Sequence, residues 1–129
     1  MNSLLKLNKT FTMMVVDDSN VIRRKIERGA DGTYFSVVAT ANSGLEAVLA
    51  YRKLKPEVVT MDITMPHMDG IDCIEQIIAI NPNVRILVIS ALADKSTGIE
   101  ALEKGARGFL CKPFTDEQLN AALAELVED

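Results

Sequence analysis

Short apolar runs alternate along this chain with longer stretches of helical period. Phe11-Thr12-Met13-Met14-Val15-Val16-Asp17 reads as a first strand. Ser19 or Asn20 can cap a following helix that buries Val21, Ile22 and Ile26, and Gly29 and Gly32 end it. Phe35 to Ala41 is rich in β-branched residues and predicts a second strand. Ser43 starts a second helix with Leu45, Val48, Leu49 and Leu54 on its inner face, and Pro56 stops it. Val58 to Asp62 is the third strand. Gly70 to Ile80 is a third helix, burying Ile71, Ile74, Ile77 and Ile78 ahead of Asn81-Pro82-Asn83. Arg85 to Ser90 is the fourth strand. Thr97 to Lys104 is a short fourth helix with Ile99 and Leu102 inward and Gly105 at its C′ position. Gly108 to Cys111 is the fifth strand. Thr115 caps a last helix, answered by Glu117 or Gln118 in a capping box, with Leu119, Leu123, Leu126 and Val127 toward the core.

Five strands and five helices in strict alternation predict an α/β fold, a doubly wound parallel sheet with helices on both faces. Residues 1–10 are expected to be a loose N-terminal tail, and residues 11–129 one domain. The last helix is expected to reach the end of the chain with no second domain after it.

Composition narrows the class. Of 129 residues, 48% are hydrophobic and 25% charged, the mix of a globular domain. The 14 Lys+Arg and 18 Asp+Glu give a net charge of −4, which argues against direct nucleic-acid binding. No apolar run reaches the roughly 20 residues of a membrane span, and the N-terminus lacks the apolar core of a secretory signal. Cys73 and Cys111 form no CxxC spacing and read as reduced, buried thiols of a cytoplasmic protein.

The informative residues fall where strands end. Strand one ends in Asp17-Asp18, strand three in Asp62 and strand four in Ser90, and Lys112 follows strand five. Right-handed crossovers align the carboxyl ends of parallel strands along one edge, where open α/β sheets bind ligands. Any one of these residues reads as a cap, a turn or a surface charge. Four strand ends agreeing point to one site. Two like charges about 4 Å apart repel by roughly 4 kcal/mol at an effective dielectric of 20. Three carboxylates facing one lysine therefore call for a proton or a cation. An all-oxygen donor set suits a hard ion such as Mg²⁺, which keeps positions open for phosphoryl oxygens. Asp62 then reads as an acceptor of a phosphoryl group, with Lys112 and the Ser90 hydroxyl meeting its oxygens.

Four motifs resemble the response-regulator receiver domains of two-component signalling, in build the single-domain, CheY-like ones. They are Val15-Val16-Asp17-Asp18-Ser19, Met61 to Gly70 (MDITMPHMDG), Ile89-Ser90-Ala91 and Gly105 to Phe114 (GARGFLCKPF). The resemblance implies strand order 2-1-3-4-5, which sets strands one and three side by side. It implies Asp62 as phosphoacceptor and a Mg²⁺ held by Asp17, Asp18, Asp62 and the Thr64 backbone carbonyl. It implies Ser90 and Phe109 as the switch pair, Lys112 as the site lysine, and a cis Lys112–Pro113 bond. A histidine kinase is the implied donor. The implied output is a protein partner on the fourth helix, fifth strand and fifth helix, in chemotaxis or another phosphorelay. The protein is then a monomer or a phosphorylation-dependent dimer, and it catalyses only its own phosphorylation and dephosphorylation. Phe109 has no hydroxyl where CheY has a tyrosine, Thr64 and Leu92 occupy positions that tune hydrolytic water, and Asp94-Lys95 replaces a lysine pair.

Other readings remain in view. An aspartyl-phosphate phosphohydrolase would carry a second carboxylate two residues after its nucleophile, where Thr64 stands. A receiver-like module that is never phosphorylated usually lacks the acidic pair or the lysine. A dinucleotide or flavin binder would want a GxGxxG after the first strand. His67 reads as an exposed loop residue. Met13, Met14 and Met61 read as core, and Met65 and Met68 flank the site. Arg23, Arg24, Lys25 and Arg28 make either a solvated helix face or, as the resemblance suggests, a surface for an acidic kinase helix.

Overall fold

In a computed structural model the chain is described at residues 9–64, 70–91 and 95–128. His67, Met65, Met68, Leu92, Asp94 and the Lys95 side chain lie outside the described residues, as do residues 1–8. The elements run β1 (Phe11–Val16), α1 (Asn20–Gly29), β2 (Phe35–Ala41), α2 (Gly44–Leu54), β3 (Val58–Asp62), α3 (Gly70–Ile80), β4 (Arg85–Ala91), α4 (Lys95–Glu103), β5 (Gly108–Lys112) and α5 (Asp116–Leu126). The five strands form one parallel sheet in the order β2-β1-β3-β4-β5.

The helices cover both faces. Ile26 of α1 and Leu119, Leu123 and Leu126 of α5 close over Met13, Val15, Val58, Leu87 and Ile89. Ala47, Val48 and Tyr51 of α2, with Ile71, Ile74 and Ile77 of α3 and Ala101 of α4, cover Met14, Val16, Val59, Met61, Ile86 and Val88. The three strand methionines are fully buried, as their place in the pattern predicts. β3 is buried along its whole length, as a strand covered on two faces must be.

Caps fix the helix starts. Ser19, Ser43 and Thr115 each accept from a backbone N–H of the first turn, and Thr115 with Gln118 completes a capping box. After α4, Gly105 takes φ 117°, and the Ala106 and Gly105 N–H groups return to the Ala101 and Leu102 carbonyls. That is a Schellman ending, which a side chain at Gly105 would strain.

Edge strand β2 is bulged. Met13 pairs with Val37 but Met14 with Ala39, so Val38 is left out of the ladder. A bulge twists an open edge away from foreign strands.

Three helix faces differ from the sequence expectation. Val21 of α1, Leu45, Leu49 and Leu54 of α2, and Ile99 and Leu102 of α4 point to solvent. In each helix another stripe of the same period faces inward. In α2 it is Gly44, Ala47, Val48 and Tyr51, and in α4 Ala101 is fully buried. Small residues let a helix approach the sheet closely. In α2 the bulk is concentrated in Tyr51, whose hydroxyl accepts from Asn81 Nδ2 at 3.0 Å.

Candidate functional site

The carboxyl ends of β1, β3, β4 and β5 lie along one edge of the sheet, where Asp17, Asp18, Asp62 and Lys112 come together. Carboxylate oxygens of Asp17, Asp18 and Asp62 lie within 4.8 Å of one another. Asp17 directly follows β1 and Asp62 ends β3, and these strands are adjacent, β1 pairing with β3 along Met13 to Val16. Asp17 and Asp62 are buried while Asp18 is exposed. Lys112, the last residue of β5, reaches across, its Nζ 3.0 Å from Asp17 Oδ2 and 3.8 Å from Asp62 Oδ2.

Local backbone chemistry holds each carboxylate. Asp17 Oδ1 accepts from the Ser19 N–H at 2.9 Å, and Arg23 Nη1 donates to the Asp17 carbonyl at 2.6 Å. Asp17 Oδ2 has the Lys112 charge beside it but, among the described residues, no donor in hydrogen-bonding geometry. Burial pushes the Asp17 carboxyl above the usual range and the Asp62 charge adds to this, opposed by the Ser19 N–H and by Lys112. Asp62 Oδ1 accepts twice from Thr64, from its N–H at 3.0 Å and from its hydroxyl at 2.8 Å. Sequence reasoning had singled out only the Thr64 carbonyl and its influence on water. The signal it passed over is the i to i+2 turn that Asp and Thr form so readily.

Two further features shape the backbone around Asp62 and Lys112. A Cβ on Gly70 would lie 2.4 Å from Ile63 Cα and 2.9 Å from the Asp62 carbonyl oxygen, so α3 can start this close to β3 only at a glycine. The Lys112–Pro113 bond is cis, as the resemblance implied.

Ser90 is fully buried, and its Oγ has no hydrogen-bond partner among the described residues. Val88 pairs with Phe109 and Ser90 with Cys111, so these four side chains share one face of the sheet. Phe109 is half-buried at the margin of the core. Cys73 is buried against the Gly44 carbonyl, and burial pushes its thiol up to about 12; Cys111 is half-buried, and both are free. On α1, Lys25 lies 5.3 Å from the centre of the Phe114 ring, so with Arg23 two of the four basic residues have partners inside the fold.

A doubly wound parallel sheet with an acidic pocket and a lysine at its carboxyl edge has the ligand-binding arrangement of open α/β domains. Comparison with known proteins narrows it. A family model described as the response regulator receiver domain matches residues 13–124. The chemotaxis protein CheY of Listeria monocytogenes is 40% identical over 111 residues, covering 86% of this chain and 93% of that protein. CheY of Thermotoga maritima is 41% identical, with 86% and 92% covered. Among solved structures, the CheX–CheY–BeF₃–Mg²⁺ complex of Borrelia burgdorferi matches with a TM-score of 0.88 at 31% identity, covering 97% of this chain and 95% of that one. The chain belongs to the response regulator receiver family, among its CheY-like members. Domains of this kind signal rather than turn over a substrate. No helix among the described residues is long and apolar enough to cross a membrane.

Proposed function

We propose that this chain is a single-domain response regulator that accepts a phosphoryl group on Asp62 from a histidine kinase, its receiver spanning residues 11–129 behind a tail of residues 1–10. The observation that carries this reading is the buried Asp62 carboxylate, with Oδ1 held by Thr64 and Oδ2 turned to Lys112. Oδ2 is the attacking oxygen. Its bond to phosphorus forms as the phosphorus–nitrogen bond of the kinase's phosphohistidine breaks, the imidazole leaving with the electron pair. Lys112 compensates the charge that gathers on the phosphoryl oxygens. Asp17, Asp18 and Asp62, with the Thr64 carbonyl, would hold Mg²⁺, and their oxygen-only donors fit it. Bound there, the ion neutralises phosphoryl charge.

Ser90 then turns its hydroxyl to a phosphoryl oxygen and Phe109 follows, changing the face formed by α4, β5 and α5 for a protein target. The CheY relatives favour chemotaxis, in the cytoplasm, as the setting. The protein acts as a monomer or as a phosphorylation-dependent dimer, without binding nucleic acid, and performs no reaction beyond its own phosphorylation and dephosphorylation. The phosphohydrolase reading is weaker because Thr64, in place of a second carboxylate, donates to Asp62.

Incubation with Mg²⁺ and acetyl phosphate should add one phosphoryl mass, and Asp62→Asn should abolish it. No mass gain, or labelling that survives Asp62→Asn, would overturn the proposal.

A further inference from the structure

The ring of Phe109 has a seat in α4. A Cβ built on Gly98 would come within 2.4 Å of Phe109 Cε2 and 2.8 Å of its Cδ2, far inside van der Waals contact. The ring therefore occupies the space a side chain at position 98 would need. The next inward residue, Ala101, is also small and fully buried, while Ile99 and Leu102 face outward. α4 thus meets the sheet through small residues, and the Phe109 ring supplies bulk between them. Gly98, Ile99, Leu102, Phe109 and Cys111 together line an apolar groove of about 300 Å³.

We propose that Gly98 is a positioning residue for the switch, its missing side chain holding Phe109 against α4 and so setting the resting balance between the two placements of the ring. This rests on the reading of Ser90 and Phe109 as the switch pair. Ser90 is buried on the face that carries Phe109, and its Oγ has no partner among the described residues. When that hydroxyl turns to a phosphoryl oxygen it frees volume beside the ring. A methyl group at position 98 would fill the ring's seat and drive the ring toward that volume. Gly98→Ala should therefore favour the activated arrangement before any phosphoryl group arrives.

The test is titration of wild type and Gly98→Ala with beryllofluoride in Mg²⁺, read by calorimetry, with ring NMR of Phe109 in the absence of beryllofluoride. Gly98→Ala should bind the mimic about twofold or more tightly, the smallest coupling typical of side chains in contact. Its Phe109 ring resonances should shift with no ligand present. The gain in affinity should vanish in a Phe109→Leu background, where no ring needs the seat. Unchanged or weaker affinity, a gain that persists with Phe109→Leu, or unmoved ring resonances would overturn the proposal. A wild type that does not bind beryllofluoride would count instead against the phosphoacceptor reading, while the ligand-free ring NMR would still judge Gly98. Alanine is favoured over glycine within a helix, so folding is expected; Gly98→Ser carries the same test should Gly98→Ala not fold.

Discussion

Lys112 and Asp17 make the closest charge contact of the site, with Nζ 3.0 Å from Oδ2 and the two side chains 23% and 1% exposed. Lys112 is thus as much the counter-charge of Asp17 as the partner of Asp62. Lys112→Met removes that charge and leaves three carboxylates facing one another. A loss of about 1–3 kcal/mol is expected, below the figure for a wholly buried pair because the lysine is partly solvated. Mg²⁺ should return much of it. Urea denaturation with and without the ion measures both quantities. Equal losses in the two conditions would show that repulsion within the cluster is not the cause.

Gly70 offers a second test of how Asp62 is held. The atoms that an added Cβ would meet are backbone atoms of Ile63 and Asp62, which cannot swing aside as a flexible side chain can. Gly70→Ala gains little helix propensity, since position 70 opens α3 rather than lying inside it, and should cost about 1–3 kcal/mol through overpacking. Because the displaced backbone carries Asp62, acetyl-phosphate labelling should slow more than stability alone explains. A variant as stable and as quickly labelled as wild type would show that α3 is free to retreat.

Much of this was legible in the sequence because two periodicities and a topological rule did the work. Apolar runs mark the strands, and the carboxyl-edge rule brings Asp17, Asp18, Asp62 and Lys112 together, as they are found. Helix faces were less legible. In α2, Leu45 and Leu49 are as periodic as Ala47, Val48 and Tyr51, and hydrophobicity alone favours the leucines, which point to solvent. What decides is how closely the helix must approach the sheet, and that is a tertiary quantity. The double hold of Thr64 on Asp62 and the contact of Gly98 with Phe109 were hidden for the same reason, since each depends on where a backbone sits rather than on what a residue is.

Thr60 lies in β3 between Val15 and Leu87, almost fully buried, and its hydroxyl has no partner among the described residues. A buried hydroxyl without a partner carries a desolvation cost and returns nothing for it. Thr60→Val keeps the branched shape and should stabilise the fold by about 1 kcal/mol, read as a rise in the urea midpoint at unchanged slope. Labelling of Asp62 should be unaffected. Destabilisation instead would mean that an internal water satisfies the hydroxyl.

Glu57 ties the start of β3 to the start of β1 and gives the fold a pH dependence away from the site. Burial alone would raise its carboxyl. Lys9, which reaches Oε2, and the Thr12 N–H, 3.2 Å from Oε1, outweigh that and hold it below the usual glutamate value. A carboxyl with a lowered folded value stabilises the fold above its unfolded pKa of about 4.3 and loses that contribution as pH falls through the folded value. Glu57→Gln keeps an acceptor for Thr12 and removes only the charge. It should cost under about 1 kcal/mol at pH 7, since Lys9 and Glu57 are 47% and 38% exposed and water screens the pair. The difference from wild type should shrink in 1 M NaCl and close as pH drops below the glutamate range. Thermal melts from pH 7 to pH 3 follow it. A gap that stays constant across that range would assign the effect to packing of the side chain rather than to its charge.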